Sequence, residues 1–452
     1  MNLDMTKGSP FKLIVRFILP LIAGNVFQQF YSMVDTIIVG RYVGVKALAA
    51  VGATGTINFL IFGFAMGLSG GFTVLTAQKY GAQDEDGVKK SVGSGLILSV
   101  LASAILTLLS VFYMNPLLRL LNTPDDIYGM SYDYIIVICY GLIACVFYNL
   151  IAGYLRAVGN SIAPLIFLII SAVLNIFLDL VLILNFHMGV AGAALATVLA
   201  QGISGIACLI YIIGKVPVLR IKRKHLKLHH GYVSTQLRIG IPMALQFSIT
   251  AVGTLILQAA LNLFGSIVIA SYTAAVKAEQ LLTQPFMAMG STMATYAAQN
   301  YGQFDVGRIR KGTRIAVIMT VVYSLIIAVA ANLLADNILG MFVSEGVNDI
   351  LRYGETYILI VSIFFIPLGV IFVFRNVLQG MSFSFVAMLA GVMELAGRTV
   401  VALIAAHLMS YSGVCFASPV AWVMADLLLI PAFYHCIGKL KDQSAGVSRQ
   451  FT

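Results

Sequence analysis

Long apolar runs separated by short polar breaks dominate this chain. Leu96–Met114, Ile135–Leu155, Ile162–Phe186 and Ile315–Leu334 each approach or meet the roughly 20 apolar residues that a helix needs to cross a bilayer. None shows the alternating ten-residue pattern of a barrel strand, so the runs predict α-helices with their backbone hydrogen bonds closed internally. Polar breaks such as Arg41–Lys46, Gln83–Lys90, Arg156–Ser161, Lys215–Thr235 and Asp336–Arg352 divide the chain into twelve spans. The first apolar stretch, Leu13–Gly40, is too long for the core of a signal peptide and predicts a membrane helix that carries Pro20.

The charges orient these spans. Of 28 Lys and Arg, 22 fall on the side that holds the N-terminus and 4 on the other, with Lys277 and Arg398 inside spans. The positive-inside rule then predicts a multi-pass protein of the cell membrane with both termini in the cytoplasm. This skew accounts for the net charge of +10 without nucleic acid. Composition agrees with the lipid solvent, since 10% charged residues and a mean hydropathy of +0.95 are far from a soluble domain. Five cysteines lie singly in apolar runs and read as small buried hydrophobes.

The chain also repeats itself. Ala77-Gln78-Lys79-Tyr80-Gly81 returns 221 residues later as Ala298-Gln299-Asn300-Tyr301-Gly302, and Gly159 and Gly380 keep the same offset. Each half holds an even number of spans, so both halves enter the membrane from the same side. The expected fold is an all-α integral membrane protein with twelve transmembrane helices in two six-helix lobes, related by a pseudo-two-fold along the membrane normal. The expected boundaries are 1–214, a basic cytoplasmic linker at 215–235 that contains Arg220-Ile221-Lys222-Arg223-Lys224, and 236–452. Such a pair of lobes suits alternating access around a central site, that is, secondary active transport. No Gly-x-x-x-x-Gly-Lys-[Ser/Thr] loop is present, so ATP is not expected to drive it.

Polar groups inside spans are costly and mark candidate sites. Asp35 lies in the first span, Asn175 and Asp179 share one face of the fifth at i, i+4, and Thr197 lies in the sixth. Two carboxylates, an amide and a hydroxyl form a set of hard oxygens suited to Na⁺, while two acids together suit a proton relay. Each could instead only hydrogen-bond a neighbouring helix. In the second half, Glu394 and Arg398 at i, i+4 predict a structural ion pair. Lys277 and Glu279, at i, i+2, point to different faces and are candidates to contact a substrate. Asp426 stands alone, with Lys277 or Arg398 as conceivable partners.

These motifs together resemble a known family. Val34-Asp35-Thr36-Ile37-Ile38-Val39-Gly40, the two Ala-Gln-x-Tyr-Gly segments, Leu155-Arg156-Ala157-Val158-Gly159-Asn160-Ser161, Asn175-x-x-x-Asp179 and Gly192-Ala193-Ala194-Leu195-Ala196-Thr197 are similar to the multidrug and toxic compound extrusion (MATE) transporters. The likeness covers nearly the whole chain. It implies a monomeric antiporter that exports amphipathic, cationic organic compounds or drugs in exchange for Na⁺ or H⁺, with no enzyme activity and no cofactor beyond the coupling ion. In members similar to DNA-damage-inducible protein F, the cation site would fall on Asp35, Asn175, Asp179 and Thr197, and a glutamine of the drug cavity on Gln28. The other well-known branch has coupling acids in the seventh and tenth spans. This chain has Gln246 in the seventh and Glu355 only near the start of the tenth. A lipid-linked oligosaccharide or lipid flippase of the same superfamily is the rival reading.

Overall fold

The structure, a computed structural model, describes residues 3–340 and 347–450, and among them the ordered elements are all helical. The break expected at Asp336–Arg352 lies partly outside the described residues. Among the described residues nine helices are long and apolar enough to cross a membrane. Two helix pairs bent at a short break pass the same test when taken together, Asp125–Tyr140 with Leu142–Ala157 at 49° and Leu351–Ile363 with Phe365–Gly380 at 51°, which makes eleven if each pair is one span. The remaining predicted run is a pair too, Ser266–Leu282 and Gln284–Gly302, and it carries Lys277 and Glu279. This is the all-helical, multi-pass membrane architecture that the apolar pattern predicts.

The helices are inside-out relative to those of a soluble protein. On Val306–Leu333, the large apolar residues Ile318, Val322, Leu325, Ile326 and Val329 are exposed along one face, while Thr313, Ala316, Thr320, Ser324 and Ala331 are buried. Lipid offers no hydrophobic drive for helices to associate, so small residues take the contact face and let backbones approach, and large ones meet the acyl chains.

Breaks inside a span free carbonyls that water cannot reach, and side chains supply the missing donors. Thr107 Oγ1 donates to the carbonyl of Cys139 at 3.0 Å, just before the break at Gly141. Tyr323 Oη donates to Leu282 (2.8 Å), where Ser266–Leu282 ends. Ser324 Oγ reaches Phe365, beyond the break at Phe364, at 3.1 Å.

The chain packs as two units, Met1–Asp4 with Leu19–Phe247, and Met5–Ile18 with Ser248–Thr452. These differ from the linear halves expected on either side of residues 215–235. The start of the first long helix, Pro10–Ile38, belongs to the second unit, and the first half of His230–Leu261 belongs to the first. Both exchanges have local causes. Gln299 and Asn300, in the second copy of the repeated motif, hold the backbone of Met5, and Arg308 donates to the carbonyls of Met5 (3.0 Å) and Gly8 (2.8 Å). In the first unit, Gly71 meets Gly240 so closely that a Cβ on Gly71 would lie 2.3 Å from Gly240 Cα, so no side chain fits between these helices. The linker residues form short turns at Pro217–Leu219 and Arg223–His225 before the long helix begins at His230.

The repeat extends to backbone conformation. Gly44 and Gly265, 221 residues apart, have φ of 116° and 87°, and Gln83 and Phe304, at the same offset, have φ of 59° and 56°. The residue after each of the latter pair is an aspartate that caps the next helix: Asp84 Oδ1 accepts from Gly87 N–H and Asp305 Oδ1 from Arg308 N–H, both at 2.8 Å.

Candidate functional site

Four of the expected residues meet inside the first unit. Asn175 and Asp179, one helical turn apart on Ile162–Leu180, are buried. The Asn175 amide satisfies its neighbours when its nitrogen donates to Asp179 Oδ2 (3.1 Å) and its oxygen accepts from the N–H and Oγ1 of Thr197 (3.1 and 3.2 Å). Asp35 comes from Pro10–Ile38, and its carboxyl lies within hydrogen-bonding reach of Asp179. Oδ1 of Asp35 and Oδ1 of Asp179 are both buried with no donor from any described residue. Two carboxylates cannot bond each other unless one carries a proton. The pair therefore has room in its chemistry for a proton, or for a cation seated between the bare oxygens. The Asn175 oxygen, by contrast, is already taken by Thr197.

Two tyrosines missed in the sequence complete this cluster. The Tyr31 side chain lies within hydrogen-bonding reach of Thr197 and feels the charges of Asp35 and Asp179, and the buried Tyr134 feels the same acids. Tyr31 lies one turn before Asp35, so the i, i+4 spacing was the available signal. Beyond both acids the helix widens: π-helical turns occupy Val39–Val43 and Val181–Asn185. Such turns often occur at functional sites.

Gln28 is exposed and lines a cavity of about 110 Å³ within the same unit, with Asn25, Tyr31, Asn149, Arg156 and Gln201. Tyr31 thus touches both the cavity and Thr197, and Gln201 Oε1 is buried there without a partner.

The second unit departs from expectation. Glu394 does not pair with Arg398. It is bound to Arg375, which Phe365–Gly380 contributes, and both side chains are nearly buried. The i, i+4 geometry was available to Arg398, but a neighbouring helix offers Glu394 a guanidinium from the side. Asp426 feels the charge of Arg375 as well, and neither Lys277 nor Arg398 is its partner among the described residues. Glu279 accepts from the Tyr357 hydroxyl at 2.5 Å, while Lys277, two residues earlier, is exposed. In the linker, His225 is buried, with Nδ1 accepting from Lys222 N–H at 2.9 Å.

A twice-repeated bundle of membrane-crossing helices with a polar cluster buried in one unit is the build of a membrane transporter. Comparison with known proteins makes the class specific. The family model MatE matches residues 20–181 and again 242–404, one copy in each half. The chain is 30% identical over 377 residues to a probable multidrug resistance protein of Bacillus subtilis, YpnP, covering 83% of this chain and 84% of that one. It is 24% identical over 398 residues to the multidrug export protein MepA of Staphylococcus saprophyticus, covering 85% and 86%. Its fold superposes with a TM-score of 0.91 on a multidrug resistance MATE family transporter of the MOP superfamily, solved in an outward-facing conformation, at 22% identity and with 97% and 98% coverage. The chain belongs to the MatE family and is a MATE transporter.

Proposed function

We propose that this transporter exports amphipathic organic compounds, cationic ones among them, from the cell by antiport against H⁺ or Na⁺, and that Asp35 and Asp179 carry the coupling ion. It works in the cell membrane with both termini in the cytoplasm, a placement that the side bias of Lys and Arg supports. The names of its relatives as multidrug transporters support the substrate class.

One observation carries the coupling assignment: two acids within hydrogen-bonding reach, each with a buried oxygen that lacks a donor. In a low-dielectric bundle the doubly ionised pair is costly, so the site gains by taking up a positive charge and loses by releasing it. The bonds of Asn175 to Asp179 and to Thr197, with Tyr31 within reach of Thr197, tie that change of charge to three helices. A gradient of one pH unit contributes about 1.4 kcal/mol per proton moved, so a single proton suffices for about tenfold accumulation. Because the Asn175 oxygen is occupied, a proton needs less rearrangement here than Na⁺, which must gather more oxygens.

Efflux of a fluorescent organic cation from proteoliposomes, under imposed H⁺ or Na⁺ gradients, tests this. Wild-type flux should follow one gradient and Asp35→Asn should lose that dependence. Flux that ignores both gradients, or that survives the substitution unchanged, would remove the mechanism and leave the flippase reading.

A further inference from the structure

In the second unit Glu279 and Arg398 lie within electrostatic range of each other but do not pair. Glu279, on Ser266–Leu282, is held by the Tyr357 hydroxyl, and the Tyr357 ring stands edge-on to Tyr272 at 4.9 Å and 76°. Arg398, on Ser384–His407, is close enough to Glu279 to feel its charge, with the neutral Tyr272 and Tyr357 nearby. Yet among the described residues its guanidinium joins no ion pair and makes no hydrogen bond, and Nε is wholly enclosed without a partner.

Its obvious partner is committed elsewhere. Glu394, one turn earlier on the same helix, is bound to Arg375. The chain even clears space for the unpaired group, because a Cβ on Gly253 would lie 2.7 Å from Arg398 Nη1. A guanidinium buried in a membrane bundle with no partner is expensive and marks a site that something else completes.

We propose that Glu279 and Arg398 are the two poles of a binding site for zwitterionic amphipaths, with a cationic group of the substrate at Glu279 and its carboxylate at Arg398. A ligand with only a positive charge is repelled by Arg398 and leaves the guanidinium unpaired. A ligand with only a negative charge is repelled by Glu279. A ligand with both ends satisfies both poles and leaves the site neutral. The rings of Tyr272 and Tyr357 beside Glu279 supply apolar faces that also favour a cation. The planar guanidinium suits a carboxylate through two parallel hydrogen bonds, so lysine does not substitute for it. Lys277 is exposed two positions away and takes no part. This assignment deepens the export reading and rests on it.

The test is equilibrium binding to the purified, full-length transporter in detergent, by fluorescence polarisation. Rhodamine B carries both a carboxylate and a cationic ring system, and rhodamine B ethyl ester keeps the cation alone. Wild type should bind the acid about 10- to 100-fold tighter than the ester, the range expected for a charge-assisted hydrogen-bonded contact. Arg398→Gln should erase that preference by weakening the acid only, and Glu279→Gln should weaken both compounds. A wild type that binds acid and ester alike overturns the proposal without recourse to any variant. So does an Arg398→Gln protein that loses both compounds equally, because that is a structural effect. No ion gradient enters this measurement, so a failure of gradient-driven export leaves its outcome readable.

Discussion

Glu394 is ion-paired with Arg375 on a neighbouring helix, while Arg398, one turn along its own helix, is left without a partner. The bridge is nearly buried, with side chains 10% and 11% exposed, so each charge depends on the other for its solvation. Breaking one side of such a pair costs about 3–5 kcal/mol, because an uncompensated charge remains. Arg375→Ala should therefore lower thermal stability in detergent strongly. The double variant Arg375→Met/Glu394→Gln should recover most of the loss. Arg398→Ala, which breaks no bond among the described residues, should cost much less, and equal losses for Arg375→Ala and Arg398→Ala would contradict this assignment.

Tyr31 lines the polar cavity and places its hydroxyl within hydrogen-bonding reach of Thr197 in the acid cluster. Tyr31→Phe keeps the ring and removes only the hydroxyl. The loss of one such bond is about 1 kcal/mol, which corresponds to about a fivefold fall in gradient-driven transport. Asp35→Asn should abolish coupling altogether. A Tyr31→Phe protein with wild-type flux and wild-type pH dependence would show that the hydroxyl does not help to transmit the ion's effect.

Much of this was legible in the sequence, and the failures have physical causes. Apolar length marked the spans, and the segments Ala77–Gly81 and Ala298–Gly302 marked the repeat, because lipid and internal duplication both act on composition directly. Asn175 and Asp179 were legible together because an i, i+4 spacing fixes a shared face. The breaks at Gly141, Thr283 and Phe364 were hidden, since the apolar pattern runs straight through them and their carbonyls are satisfied by residues such as Thr107 and Tyr323 from other helices. The pairing of Glu394 failed for a related reason: a partner one turn away is visible along the chain, while Arg375 arrives only through packing. Nothing local announces that Met5 is held by Gln299, 294 residues on.

Gly71 gives a prediction about packing alone. Its Cβ position lies 2.3 Å from Gly240 Cα, which is backbone and cannot swing away. Gly71→Ala must therefore push the two helices apart, and overpacking of this kind typically costs about 1–3 kcal/mol. Thermal unfolding in detergent should register that loss, whereas Gly52→Ala, where a Cβ meets nothing within 4 Å, should be neutral or slightly stabilising through helix propensity. Similar melting for both variants would mean that the close approach is not a constraint on this fold.

His225 makes the linker sensitive to pH. Burial, helped by the neighbouring charge of Lys224, holds its imidazole below the usual histidine range. Nδ1 accepts a hydrogen bond from Lys222 N–H, and the carbonyl of Lys227, two residues on, accepts from Ser94 Oγ at 3.0 Å, so the neutral ring belongs to the docked linker. Asp86, 3.5 Å from Nε2, opposes the shift without reversing it. A group whose folded pKa is depressed binds protons more readily when released. Its contribution to docking is therefore present above the unfolded value of about 6.5 and is lost as pH falls toward the folded one. Hydrogen exchange of residues 217–229 should accelerate below about pH 6 relative to pH 8, beyond the intrinsic pH dependence of exchange. In His225→Gln, whose side chain does not titrate, that extra acceleration should vanish. If it persists in His225→Gln, another group controls the linker.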